Sequence, residues 1–214
     1  MAESPFEGLL TANRLRELFE QPIKGTFDLA HLRALHRAIF QDLPQHRPGV
    51  LRADGTGWVK LRALEGGGRY PVPYQARDLS TALERTLESV GLDAWRGLET
   101  PAFAEHLARL YGDLDHIHPF YEGNSRTLRE FTRQLALVCG FRLDWAGTGV
   151  DAIARNRLYQ ARDRAVLERH YPGLDEARAM QTEARDEYEA YQTLLALREG
   201  ATLEAILQER LTPR

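Results

Sequence analysis

The sequence predicts a mainly α protein, a helical bundle that carries one short β-hairpin, and three observations predict it. Apolar residues recur at helical spacing through most of the 214 residues. The β-like signal is confined to one Gly- and Pro-rich stretch between Pro44 and Pro73. A balance of 43% apolar to 28% charged residues suits a globular chain with a substantial core.

In chain order, residues 1–26 read as an N-terminal helical extension. In "FDLAHLRALHRAIFQDL", Asp28 is placed to cap a helix whose apolar positions are Leu29, Leu32, Leu35, Ile39 and Phe40. The breakers "DGTG", "EGGGR" and "PVP" follow, and the short apolar pieces Val50-Leu51 and Trp58 to Leu61 predict the only strands. Helical period returns with Leu79, Leu83 and Leu87, then with Phe103, Leu107, Leu110 and Leu114, then with Leu128, Phe131, Leu135 and Val138. It continues through "VDAIARNRLYQARDRAVLERH" until Pro172-Gly173 breaks the chain. Residues 171–214 form a charged, helix-prone tail with a turn near Gly200, suited to capping the bundle or meeting a partner. No internal repeat or low-complexity segment is visible.

A net charge of −3, with Lys24 and Lys60 the only lysines, leaves no clustered basic run, so direct nucleic-acid binding is not expected. The lone Cys139 excludes an intramolecular disulfide and reads as a small core residue. No apolar run approaches the ~20 residues needed to span a bilayer, and "MAESPFEGLL" lacks a basic region followed by an apolar one. The expectation is a cytoplasmic protein with no membrane partner; a secretion route without a cleavable signal leaves no trace in the sequence.

The chemistry concentrates in "HPFYEGNSRTLREF", residues 118–131. Gly123, Asn124 and Ser125 stand directly before a helix, where unpaired backbone N–H groups and the helix dipole favour an anion, phosphate above all. Arg126 and Arg129 fall on one face of that helix, with Arg133 four further on, so that their guanidinium forks can clamp a polyphosphate. Cations at a helix N-terminus oppose the macrodipole by roughly 0.3–1 kcal/mol each, and an anionic ligand reverses that penalty. Glu122 beside bound phosphate requires a cation between them, and Mg²⁺ habitually bridges one carboxylate and substrate phosphates. His118, before Pro119 and so on non-helical backbone, suits a general base near neutral pH. Together these residues suit transfer of part of a nucleotide to an acceptor whose proton His118 removes. A rival reading takes His116, His118 and Glu122 as a metal site, leaving both arginines unused. The P-loop motif and the G-x-S-x-G elbow are absent.

At these residues the sequence resembles the Fic (filamentation induced by cyclic AMP) family, whose core motif is HxFx(D/E)GNGRxxR. It stands here as His118, Phe120, Glu122, Gly123, Asn124, Ser125, Arg126 and Arg129, with Ser125 the one departure. The resemblance implies a Fic-type helical bundle with a hairpin flap, a catalytic core over residues 27–170, and transfer of AMP from ATP to a Ser, Thr or Tyr hydroxyl of a target protein, with Mg²⁺. It makes His118 the base, Glu122 the metal carboxylate, Gly123 and Asn124 the lining of the anion hole with Asn124 on the α-phosphate, and Arg126 and Arg129 the partners of the β- and γ-phosphates. The flap over Arg69, Tyr70, Pro71, Val72, Pro73 and Tyr74 would align the target by strand addition. Asn156 and its neighbours offer a border for the adenine pocket without a motif to place them there. At position 125 a serine keeps the backbone N–H, and its Oγ is expected to add or replace a phosphate contact if φ there is negative.

Members of this family are often inhibited by an (S/T)xxxE(G/N) helix. Glu7-Gly8 has Glu3 four residues before the acid with Ser4 one place too near, Glu199-Gly200 has Leu195 there, and Glu65-Gly66 has Leu61. By resemblance, the inhibitor is then a separate small antitoxin-like protein that lends a glutamate to Arg129, and the chain a bacterial toxin with a cytoplasmic protein target; topoisomerase subunits are targets of some similar toxins. The alternatives are transfer of another phosphoryl-linked group (phosphate, UMP or phosphocholine) and a non-catalytic nucleotide-binding regulator.

Overall fold

Asp28 caps a helix as its position predicts. In the computed structural model, which describes residues 5–55, 58–63 and 67–214, the Asp28 carboxylate accepts the His31 N–H at 2.8 Å. Helix α1 (Pro5–Glu20) precedes this helix, α2 (Leu29–Phe40), and a 3₁₀ turn (Pro44–His46) follows. Strands β1 (Trp58–Ala63) and β2 (Arg69–Tyr74) pair antiparallel, Trp58 opposite Tyr74 and Ala63 opposite Arg69. Then come α3 (Leu79–Glu88), α4 (Leu92–Trp95), α5 (Thr100–Ile117), α6 (Asn124–Val138), β3 (Phe141–Leu143), α7 (Gly147–Val150) and α8 (Ala152–His170). The tail supplies α9 (Glu176–Gln181), α10 (Arg185–Leu197), α11 (Leu203–Arg210) and β4 (Leu211–Pro213).

Helix α5 is the axis of the bundle. Its Phe103, Leu107, Leu110 and Leu114 are buried together with Leu32, Leu35 and Ile39 of α2 and with Phe131 and Leu135 of α6. Each such side chain removed from water contributes about 1.5–3 kcal/mol, which is why the helical period read from the sequence became core. Helix α11 joins the same cluster through Leu203, Ile206 and Leu207, so the end of the charged tail is structural. A second cluster anchors the hairpin: Tyr70, Val72 and Tyr74 of β2 pack on Val166 and Leu167 of α8 and on Ala190 and Leu197 of α10. Cys139 is buried, as expected of a core residue.

Two strand expectations need correction. Val50-Leu51 lies in a loop, because the Arg52 N–H is taken by the Pro119 carbonyl at 2.9 Å and the segment is tied to the α5–α6 connection instead of to a ladder. The hairpin is also not the only β structure, since Phe141–Leu143 pairs antiparallel with Leu211–Pro213. Among the described residues, no helix is long and apolar enough to cross a membrane. Glu3, Ser4, Glu65 and Gly66, weighed above as parts of an inhibitory motif, lie outside the described residues.

Candidate active site

The α5–α6 connection forms one wall of the site. Proline at 119 disfavours continued helix, and His118 closes α5 in the left-handed region with φ 52° and ψ 62°, its N–H on the Leu114 carbonyl at 3.0 Å. A left-handed non-glycine residue costs on the order of 1 kcal/mol. Buried Arg52 secures it, with Nε donating to the His118 carbonyl at 2.6 Å and Nη2 to the carbonyls of Ile117, at 2.8 Å, and of Gln75. Asn124 closes the loop from inside: its Oδ1 accepts the Phe120 N–H at 2.9 Å and its Nδ2 donates to the Phe120 carbonyl at 2.7 Å. Beneath the loop, His36 stacks on Phe120 at 3.8 Å between centroids. His36 Nδ1 accepts the Gly49 N–H at 2.8 Å, so Nε2 carries the proton and donates to the Glu122 carbonyl at 3.1 Å. Burial pushes the His36 pKa down to about 4, which keeps this pillar neutral.

Gly123 is required by space as well as by conformation. Its φ is +79°, and a Cβ there would lie 2.1 Å from Cζ of Phe40. Ser125 sits in the first turn of α6 and is not among the left-handed residues, so its Cβ meets no backbone penalty. Its Oγ accepts from Nη1 of Arg162 at 2.9 Å.

These residues face a cavity of about 210 Å³ lined by His118, Glu122, Gly123, Asn124, Ser125, Arg126 and Arg129 and also by Lys60, Arg62, Tyr159 and Arg162. The structure thus gathers the motif residues expected at the site and adds four others. Lys60 and Arg62 come from β1, whose alternation turns them toward the cavity while Val59 and Leu61 face solvent. Burial lowers the Lys60 pKa, with nearby Glu122 opposing the shift. His118 is 1% exposed, and neither ring nitrogen has a hydrogen-bond partner among the described residues. Tyr74 lies against its ring, 3.9 Å between centroids. Burial first, then the cations Lys60, Arg162, Arg52 and Arg62, hold its pKa well below the usual histidine value, so the imidazole is neutral at neutral pH.

Three expected features are placed differently. Arg133 is paired with Glu130 at 2.6 Å and does not line the cavity, so of the three expected arginines only Arg126 and Arg129 do. His116 points away to His170, with Nε2 and Nδ1 3.1 Å apart, because the left-handed turn after it rotates His118 to the other side. That separation removes the rival metal site built from both histidines. In the flap, Tyr70, Val72 and Tyr74 are buried against α8 and α10, and Pro71 and Pro73 have no N–H to offer a neighbouring strand.

The buried carboxylate–imidazole–guanidinium wall, the glycine-entered helix and the overhanging hairpin define a mainly α fold with one lined cavity, and comparison with known proteins gives it a family. The chain belongs to the Fic/DOC family, whose model matches residues 26–136. It is 30% identical over 159 residues to the protein adenylyltransferase VbhT of Bartonella schoenbuchensis, covering 74% of this chain and 29% of VbhT. The Bartonella henselae protein adenylyltransferase is 29% identical over 152 residues, covering 64% of this chain and 26% of that protein. The chain therefore spans less than a third of these two relatives. Its fold is that of the Fic domain of a Bartonella quintana Bep effector solved with ADP bound, with TM-score 0.64, 21% identity, and 98% of this chain and 84% of that one covered. BepC of Bartonella tribocorum, solved with AMPPNP, gives TM-score 0.63 at 18% identity, covering 98% and 86%.

Proposed function

We propose that the chain is a protein adenylyltransferase that moves AMP from ATP to a Ser, Thr or Tyr hydroxyl of a target protein. The observation that carries this reading is a neutral His118, without a hydrogen-bond partner among the described residues, in a cavity lined by Glu122 and by Lys60, Arg62, Arg126, Arg129 and Arg162, of which Arg62 and Arg162 also pair with Asp163 and Asp115. So dense a set of cations calls for a polyanion, and a nucleoside triphosphate is the polyanion that the relatives' names and bound nucleotides suggest.

In the reaction, the acceptor hydroxyl loses its proton to His118 as its oxygen bonds to the α-phosphorus. The bond from that phosphorus to the bridging oxygen breaks, and pyrophosphate leaves. In this reading the first N–H groups of α6, entered through Gly123 and Asn124, would bind the α-phosphate, while Arg126 and Arg129 would receive the leaving phosphates. An anionic substrate also offsets the cations that depress His118, raising its basicity once the nucleotide is in place. Mg²⁺ fits the donor set: Glu122 lines the cavity, its Oε1 accepts the Gly123 N–H at 2.9 Å, and Oε2 would hold the ion. No cluster of three or more acidic, His or Cys ligands exists among the described residues. One carboxylate plus phosphate oxygens is the usual Mg²⁺ set, and the ion would neutralise charge on the departing phosphates.

Target alignment falls to β1, whose Val59 and Leu61 are 52% and 64% exposed beside the cavity. A target segment pairing along this strand would bring its hydroxyl past Lys60 toward His118. Regulation by a separate small inhibitor is supported by a groove of about 530 Å³ between α1 and α6, lined by Thr11, Leu15, Phe19, Arg126, Arg129 and Trp145 among others. Arg126 and Arg129 border both groove and cavity, so a glutamate laid in the groove would compete with phosphate for Arg129. Purification of the tagged chain from its native host without any small companion would count against that inhibitor. The activity itself is tested by incubating host lysate with the chain, ATP and Mg²⁺ and searching for AMP on hydroxyl side chains by mass spectrometry. Adducts that depend on His118 are expected; adducts undiminished by His118→Ala would contradict the assignment.

A further inference from the structure

Beneath His118 lies a buried ion pair that the reaction as described does not use. Asp115, 1% exposed, occupies the last turn of α5, where a carboxylate opposes the helix dipole. Arg162 of α8, 3% exposed, grips it from both sides, Nη2 to Oδ1 at 2.7 Å and Nε to Oδ2 at 2.9 Å. The third nitrogen, Nη1, donates to Ser125 Oγ at 2.9 Å. One network therefore joins α5, α8 and the first turn of α6. Replacement of such a pair by apolar side chains is often neutral or stabilising, so stability alone is a weak reason for its presence.

Its position supplies a stronger reason. Asp115 Oδ1 is 3.9 Å from His118 Nδ1, and that nitrogen has no other partner among the described residues. A ring shift of about 1 Å brings the two within hydrogen-bond range, and a carboxylate oxygen has a second lone pair for it beyond the one used by Arg162. We propose that Asp115, held by Arg162 and Ser125, is the positioning residue of His118: it keeps the imidazole proton on Nδ1, so that Nε2 presents its lone pair to the cavity. When Nε2 takes the acceptor proton, the imidazolium formed keeps its Nδ1–H toward the carboxylate. Ser125 then has a structural task in this chain, which is to fix the guanidinium that fixes Asp115.

The catalytic part of this proposal rests on the role given to His118 above, but its first readout does not need activity. In the full chain labelled with ¹⁵N-histidine, long-range proton–nitrogen correlation, assigned by the loss of one ring in His118→Ala, reports the tautomer directly. The wild type is expected to show His118 protonated on Nδ1. Since removing Asp115 alone strands a buried guanidinium, the test variant is Asp115→Leu with Arg162→Met, which should fold with cooperative unfolding. It is expected to show His118 shifted toward the Nε2–H tautomer. An Nε2–H tautomer in the wild type, or an unchanged Nδ1–H tautomer in the folded double variant, overturns the proposal. In label transfer, the double variant should lose at least about tenfold in rate at saturating ATP with KM for the acceptor within about twofold, because orientation of the base acts on the chemical step. Lack of transfer by the wild type would remove the adenylyltransferase reading and leave the tautomer result to decide the role of Asp115.

Discussion

Gly123→Ala separates two demands that the nucleotide turn makes on one residue. A methyl group at this position would lie 2.1 Å from Phe40 Cζ and 2.2 Å from Cε2, and φ is +79°. Gly140 supplies the internal control: its φ is +90°, yet nothing lies within 4 Å of a Cβ built there. Gly140→Ala should therefore carry only the left-handed penalty, on the order of 1–2 kcal/mol. Gly123→Ala carries that penalty plus overpacking of about 1–3 kcal/mol, since the Phe40 ring is fully buried and also packs under the Arg126 guanidinium at 4.7 Å. Urea unfolding of both variants measures the difference, and Phe40→Leu in the Gly123→Ala background should recover part of it. Equal destabilisation by the two alanines would refute the close approach of Phe40 to the turn.

Asn124→Ala removes both hydrogen bonds that close the motif loop on Phe120, so calorimetry with AMPPNP and Mg²⁺ should show binding weakened tenfold or more, with about 2–4 kcal/mol lost from stability. Ser125→Gly leaves Arg162 Nη1 without its acceptor; thermal unfolding should report a loss of about 1 kcal/mol while label transfer stays within about tenfold of wild type. Stability should also fall with acid through His36, whose folded pKa near 4 lies below its ordinary value. The unfolded chain then binds more protons between pH 6.5 and 4, so unfolding free energy declines over that window by roughly 3 kcal/mol from this group. His116, lowered to about 4 by burial and then by His170, acts in the same direction. His36→Gln should flatten the decline measured by urea unfolding at pH 7 and pH 4.5, and an unchanged slope would show that His36 is not held neutral.

The sequence makes legible what neighbouring residues decide. Helical period, the Asp28 cap and the contiguous turn from His118 to Arg129 are local, and they were legible. Lys60, Arg62, Tyr159 and Arg162 reach the cavity from β1 and α8, so no spacing within the motif points to them. A signal did exist for the buried pair: Asp115 follows Tyr111 by four on the apolar face of α5, and Arg162 stands between Leu158 and Val166 on the buried face of α8. A charge on a core stripe must find a partner, and each was the other's. The β3–β4 pair joins strands of three residues each, far apart in sequence, too short to leave a period. In α11 the apolar Leu203, Ile206 and Leu207 are outweighed by the charge around them, so a core helix reads only as part of a charged tail suited to capping the bundle or meeting a partner.

The central claim is that His118 activates a hydroxyl for attack on the α-phosphorus of ATP. The most direct test follows label onto protein from [α-³²P]ATP and, separately, from [γ-³²P]ATP with Mg²⁺ in host lysate, using the wild-type chain and its His118→Ala variant. Label from the α position alone, abolished in the variant, is the predicted result. Label arriving from the γ position, or α-label that persists without His118, would contradict it.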